Sequence, residues 1–354
     1  MMPRVDMIER LRAWSYRRQG IGDPAATPEE ALRAVVAVYA THPTAPLALW
    51  ARTGSFSAAR YRSLDRERAA VRVPAMRNTV FLIPLEHAAR IFTAVRPSAG
   101  HALKPLARHG ISAQAYGRYA AGILDATAEP ASRRALQEAA GLEGEQLGTV
   151  LRCLRYEGLL LTLAGESLNM SPHRYIAAAA WFPEGLDAGD PGQARAWLAA
   201  EYLRAYGPAR VADFAWWTGL GKRAATAAVA AHGTVDLGDG LLLPADDLAA
   251  FERVRKLRDA VALLPKWDAY TMGHAPDGRR RFVHPDLQRA VYTPIGAGLS
   301  GDGNPVVLVD GEVVATWTYT VKDGAQVQPF DRLGTRTRAR IDDRLAEVVG
   351  LLGS

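Results

Sequence analysis

Two stretches of this chain follow the same order of elements, and that repetition limits the fold more than any single motif. In residues 126–182, Ser132 is placed to cap a short helix over 133–140 and Gly141 to close it. A turn then leads to a helix over 143–156 that ends at Gly158. Short apolar runs at 159–163 and 167–170 flank Ala164-Gly165-Glu166 and predict a hairpin. In residues 183–255 an amphipathic helix is expected over 193–206. Gly207-Pro208 breaks it and sets a proline where a new helix can start. Residues 209–217 form that helix, Thr218-Gly219-Leu220-Gly221 the turn, and 222–231 a candidate recognition helix. Gly233 stops it, and the runs at Val235 and 241–243 predict a hairpin with Gly238-Asp239-Gly240 at its tip. Helix–turn–helix–hairpin is the order of a winged helix, repeated here in architecture and not in sequence. Helices so arranged fit the major groove, which points to nucleic acid.

The flanking segments read differently. Over 7–18, Met7, Ile8, Leu11 and Trp14 recur at helical spacing with arginines opposite. A short charged helix is expected over 63–70, an extended stretch over 71–74, and a strand over 76–84 ended by Pro84. This order is compatible with a further winged helix. From about residue 256 short apolar runs at 260–264 and 306–309, a hairpin signal at Asp310-Gly311, and runs at 313–319 and 325–329 predict a small β-barrel or curled sheet. A helix over 336–352 closes it. The expected fold is α+β, with units 1–125, 126–182, 183–255 and 256–354.

With 49% hydrophobic residues in 354, the chain can bury a substantial core. It has no apolar run of about 18 residues to cross a membrane, and its N-terminus lacks the apolar region of a signal peptide. The single cysteine, Cys153, excludes an internal disulfide and a CxxC site. A cytoplasmic location is expected. The net charge of +6 favours an anionic partner. Yet only five basic residues are lysines and alanine is abundant, a bias that a GC-rich genome produces unaided, so charge alone decides little. No GxSxG elbow, HExxH helix or Walker loop supports a small-molecule hydrolase.

The chemistry is best sought in residues 35–52, VVAVYATHPTAPLALWAR. A helix starting near Pro28-Glu29-Glu30 is expected to run to His42, where Pro43 stops it. A second apolar helix follows over 46–52. Tyr39, Thr41 and His42 put three hydrogen-bonding groups at this junction, which suits a small site and equally a plain helix end.

The chain resembles the AlkZ/YcaQ-type winged-helix DNA glycosylases. The resemblance rests on Leu47-Ala48-Leu49-Trp50-Ala51-Arg52, on Ala75-Met76-Arg77-Asn78-Thr79, and on Gly207-Pro208 with Asp213-Phe214-Ala215-Trp216-Trp217-Thr218-Gly219-Leu220. It continues in Leu263-Leu264-Pro265-Lys266-Trp267-Asp268-Ala269-Tyr270-Thr271-Met272-Gly273 and Val309-Asp310-Gly311-Glu312-Val313-Val314-Ala315-Thr316-Trp317. It implies tandem winged helices wrapped as a C around duplex DNA, a C-terminal β-barrel, and excision of alkylated purines without a metal or cofactor. The chain departs from the pattern where relatives similar to AlkZ carry Gln-x-Gln, and YcaQ-like ones Gln-x-Asp, before the leucine–tryptophan run. Those positions read Tyr39 and Thr41 here, with His42 next. Many relatives also continue with Gly and Thr-Leu-His after the arginine, where this chain has Asn78, Thr79, Val80 and Phe81.

A purine alkylated at N7 is cationic and its glycosidic bond already weak. The enzyme then needs a held water and stabilisation of an oxocarbenium-like sugar. The resemblance implies a catalytic set of Tyr39, Thr41, His42 and Asp268. Thr41 would hold water, a neutral His42 would take its proton at a reference pKa of roughly 6.5, and Asp268 would orient a catalytic group. Arg77, Asn78, Arg152, Arg155, Lys222, Arg223, Arg279, Arg280 and Arg281 are the candidate DNA contacts, and Arg52 is expected in a buried ion pair. No lysine stands beside Tyr39–His42, so Schiff-base lyase chemistry lacks a nucleophile there. The expectation is a monomeric, monofunctional glycosylase for bulky N7-alkylguanine adducts, serving self-resistance to a DNA-alkylating natural product. The alternative is a non-catalytic DNA-binding regulator or lesion shield on the same scaffold.

Overall fold

The structure, a computed structural model, describes residues 4–165, 167–169, 174–295 and 298–353. The repeated units form much as their caps dictate. Ser132 Oγ accepts from Ala135 N at the start of the Arg133–Ala140 helix, and Gly141 ends it in the left-handed region at φ 61°. The Gly144–Tyr156 helix follows, then strands Leu160–Leu163 and Arg174–Ala177. The second strand lies later than expected: 167–169 are not in a strand, and Glu166 and Met170 lie outside the described residues. In the next unit Asp190 caps the Pro191–Tyr206 helix, and Val211–Thr218 and Lys222–Ala230 follow. The hairpin pairs Thr234–Asp236 with Leu242–Pro244.

The N-terminal unit departs from its reading. The helix expected to reach His42 stops at Ala34. Val36 turns the chain at φ 68°, and Val38–Tyr39 is a strand that pairs Val38 with Leu82 and Tyr39 with Phe81. β-Branched and aromatic residues favour this extended form. The turn is held from outside: Tyr206 Oη donates to Val35 O at 2.8 Å, and Arg204 Nη2 to Arg33 O at 2.7 Å. The helix after Pro43 runs Thr44–Trp50 with every residue buried. Seven residues are too few for a helix to stand alone in water, so tertiary packing maintains it. The 63–70 segment also shifts, to a helix Ala58–Arg66 and a strand Ala70–Pro74.

One six-stranded sheet spans the expected boundary near residue 125. Its order is Val38–Tyr39, Val80–Pro84, Ala70–Pro74, Leu160–Leu163, Arg174–Ala177 and Ala131–Ser132, joined at the middle by Arg72 opposite Thr162. The C-terminal strands form a four-stranded antiparallel sheet, Gly324–Pro329, Glu312–Thr320, Val306–Val309 and Val261–Leu264, beside the ribbon of Tyr292–Ile295 and Gly298–Gly303. Among the described residues their pairings give one four-stranded sheet and one two-stranded ribbon. The Thr335–Leu352 helix returns to the N-terminal unit, where the Arg344 guanidinium lies 4.0 Å from the Trp50 ring centre. A single core joins the N-terminal unit, the third unit and the C-terminal sheet through residues such as Leu49, Phe81, Tyr202, Phe214, Leu264 and Trp317. A second core, with Ile123, Leu136, Leu147 and Leu154, serves the second unit.

Candidate active site

Tyr39 stands where three parts of the chain meet. Its ring centre lies 4.4 Å from that of Phe81 and 5.7 Å from that of Trp267, and its phenol oxygen accepts from Arg77 Nη2. The Arg77 guanidinium in turn covers the Trp216 ring, 4.0 Å from its centre. Gly219, at φ 79° after the Val211–Thr218 helix, packs on Arg77; a Cβ there would lie 3.3 Å from Arg77 Cγ. The positive φ favours glycine, and a Cβ would also sit tightly against Arg77. On the other side Tyr156 Oη donates to Asn78 O at 3.0 Å, tying the Gly144–Tyr156 helix to the same turn.

Backbone strain gathers here. Val36, Arg77, Asn78 and Trp267 all have positive φ, at 68°, 53°, 59° and 57°. Such conformations cost about 1–3 kcal/mol each and persist only where the surroundings impose them. Trp267 is held by its N–H to Gly303 O at 3.0 Å and its Nε1 to Asp302 Oδ1 at 3.0 Å.

Thr41 is exposed, and Thr41 and His42 line a cavity of about 460 Å³. His42 Nδ1 lies 2.9 Å from Ser167 O and Nε2 2.9 Å from Tyr61 Oη. Tyr61 Oη also accepts from Arg72 Nη2 at 3.0 Å, and Arg72 is paired with Asp65. A carbonyl only accepts, so Nδ1 carries a proton toward Ser167 O. Burial pushes the Tyr61 phenol up to about 12 against the opposing Arg72 charge, which keeps it protonated, and burial likewise raises Asp65. In this arrangement both His42 ring nitrogens are engaged. These contacts tether the 42–44 turn to Ser167 and Tyr61.

Asp268 lies in a closed, ion-paired environment. It is 0% exposed, caps the Ala269–Met272 helix through Tyr270 N at 2.8 Å, and takes both Arg52 terminal nitrogens at 2.8 and 2.7 Å. It touches no open site; it anchors Trp267 and the end of the Thr44–Trp50 helix. The ion pair expected for Arg52 is the one observed.

The basic residues divide by exposure. Lys222, Arg223 and Arg280 are exposed, and Arg77, Asn78, Arg152 and Arg155 half-buried. Burial, and then the Arg152 and Arg133 charges, hold Arg155 below its ordinary value despite nearby tyrosines. Arg279 and Arg281, expected to contact DNA from a solvated loop, are buried, because Pro276–Arg281 winds into a 3-10 turn whose inner side they occupy. Arg281 Nη1 donates to Pro208 O at 2.6 Å. Arg279 lies between the Trp216 and Tyr292 rings, 4.7 and 4.1 Å from their centres, and among the described residues only its Nε is bonded, to His274 O at 3.2 Å. Sequence reasoning did not reach Trp216 as the platform of the cluster, nor the Tyr61–Arg72–Asp65 chain behind His42. Trp216 was visible within a quoted landmark, but its pairing with Arg77 has no local signal. Among the described residues no three His, Cys, Asp or Glu side chains group as a metal site, and no helix is long and apolar enough to cross a membrane.

The family described as "DNA glycosylase AlkZ-like" matches residues 32–350. Among solved structures, the Streptomyces sahachiroi DNA glycosylase AlkZ superposes with a TM-score of 0.77 at 19% identity, covering 97% of this chain and 96% of that one. At that identity the likeness is one of fold. No curated protein matches the sequence.

Proposed function

This chain belongs to the AlkZ-like DNA glycosylase family, and from that premise we propose that it hydrolyses the N-glycosidic bond of N7-alkylated purines in duplex DNA. Guanine is the foremost base, bulky adducts are included, and the product is an abasic site. The observation that carries this reading is the Tyr39–Arg77 contact, which joins the Tyr39–Thr41 stretch to a basic turn held by Trp216 and Tyr156 from two other units.

The cationic leaving base needs no proton, so the residues have two tasks. Thr41, exposed at the cavity mouth, holds the water by its hydroxyl. Tyr39, whose oxygen is occupied by Arg77, directs its own hydrogen toward the sugar or the water. Arg77, Asn78, Arg152, Arg155, Lys222, Arg223 and Arg280 hold the phosphates, a sequence-independent attraction that weakens with salt. His42 and Asp268 act as positioning residues. Units 1–125, 126–182 and 183–255 supply the DNA-binding surface of a monomer and 256–354 supplies Trp267. Self-resistance to a DNA-alkylating natural product, in the cytoplasm, is the biological setting in this reading.

The test is abasic-site formation on duplex DNA carrying N7-methylguanine. Thr41→Ala lowers the single-turnover rate at least about tenfold with DNA affinity retained. An unchanged rate removes the hydrolytic role from Thr41. Tight lesion binding by the wild type with no release from any adduct leaves a lesion-binding protein on the same scaffold.

A further inference from the structure

The sequence sets no lysine beside Tyr39–His42, yet the fold brings one there from the C-terminal unit. Lys266 lines the cavity of about 460 Å³ together with Thr41 and His42, and of the five lysines it is the one in this lining. Its Nζ lies 4.3 Å from the centre of the Trp267 ring, and that ring lies 5.7 Å from the Tyr39 ring centre. A single aromatic side chain thus adjoins both the amine and the phenol assigned to the sugar.

Lys266 is held without being sealed off. Its Nζ donates to Asp302 Oδ2 at 2.9 Å, and Asp302 Oδ1 accepts from Trp267 Nε1 at 3.0 Å, so one carboxylate fixes both side chains. The lysine side chain is still 40% exposed. An abasic site, the product of the reaction proposed above, opens to an aldehyde at C1′. Lysine is the side chain that captures a carbonyl as an imine. The hydroxyls of Thr41, Thr44 and Tyr319 in the same lining suit the hydroxylated open chain of that sugar.

We infer that Lys266 gives this protein a second activity, cleavage of the DNA strand at the abasic site through an imine. The inference goes beyond excision and rests on the glycosylase reading for the seating of the sugar. Nζ bonds to C1′, and the ammonium gives up two protons, one by way of Asp302, to the carbonyl oxygen, which leaves as water. The resulting iminium loses a proton from C2′ to Asp302. The electron pair released there expels the 3′ phosphate as the C3′–O3′ bond breaks. Water then hydrolyses the iminium and returns Lys266 and an unsaturated aldehyde.

The test uses a duplex whose single abasic site is made beforehand by removing uracil. With borohydride present the wild type gives a covalent protein–DNA adduct on a denaturing gel, mapped by mass spectrometry to Lys266. Without borohydride it leaves a nick 3′ to the abasic site. Lys266→Arg keeps a cation for Asp302 and forms no such imine. It lowers adduct and nick at least about tenfold, while affinity for the abasic duplex and release of N7-methylguanine stay within about twofold. No adduct from the wild type, or an undiminished one from Lys266→Arg, overturns the inference. So does a loss of adduct that merely follows a loss of DNA affinity, which would make Lys266 a phosphate contact. Because the abasic site is preformed, the two readings fail separately. Adduct and nick without release of any alkylated base remove the glycosylase and uphold the lyase, and release without adduct does the reverse.

Discussion

Two groups of buried or half-buried arginines sit on either side of the Tyr39–His42 stretch, and they are compensated differently. Behind His42, Arg72 is paired with Asp65 and donates to Tyr61, closing a chain of bonds that ends on the imidazole. Around Trp216, Arg77 and Arg279 rest on aromatic faces, and Arg77 Nε and both Arg279 terminal nitrogens have no hydrogen-bond partner among the described residues. An aromatic face offsets a desolvated cation by about 2 kcal/mol, less than a carboxylate supplies. The first group is therefore structural. The second keeps unspent positive potential, with half-exposed Arg77 as its contact and fully buried Arg279 as its reinforcement. A protein that must hold a polyanion keeps some of its charge unneutralised, and this one does so at Trp216.

The contrast can be broken most forcefully on its closed side. Asp65→Ala strands the buried Arg72 charge and costs about 3–5 kcal/mol in urea unfolding. A loss under about 1 kcal/mol would mean that Arg72 finds other partners and that the two groups are alike. On the open side the sharpest probe is pH. Burial, reinforced by Arg281, pushes His274 down to about 3, against roughly 6.5 in the unfolded chain. Between those values the unfolded chain binds the extra proton, so stability falls as pH drops from about 6.5 toward 3. His274→Gln flattens that acid limb in urea midpoints read at pH 7, 5 and 4; identical limbs would show that this region accepts another proton without penalty. Arg77→Met lowers DNA affinity about tenfold and the salt slope by about 0.9, with stability moved by less than about 1 kcal/mol. A large stability loss with an unchanged salt slope would put Arg77 in the structural class. Smallest is Lys222→Ala, which lowers the salt slope by about 0.9 and affinity a few-fold, with no change in single-turnover rate at saturation.

Where local chemistry decides, the elements could be read from residues alone. Ser132 and Gly141 bound their helix as read, and Gly219 ends its helix in the left-handed turn that its position suggested. The candidate stretch was located, but its conformation was not. Val38–Tyr39 is a two-residue strand, too short to show periodicity, and its partner lies at Val80–Pro84. Arg279, Arg280 and Arg281 are indistinguishable in sequence, and only the tight turn decides that the middle one faces water. That Asp268 is the partner of Arg52 has no local signal, because the two lie 216 residues apart.

That separation bears on how the protein is made. Tyr39, Arg77, Trp216 and Trp267 come from far-separated parts of the chain, and the Thr335–Leu352 helix reaches back to Trp50. During synthesis, the Arg133–Tyr156 helices and their local core can assemble early. The strained turn at Trp267 has no Asp302 or Gly303 to hold it until those residues have emerged. A ribosome-bound chain thus acquires the helices of its second unit well before the turn at Trp267 beside Tyr39 can close, a step that waits for the last quarter of translation.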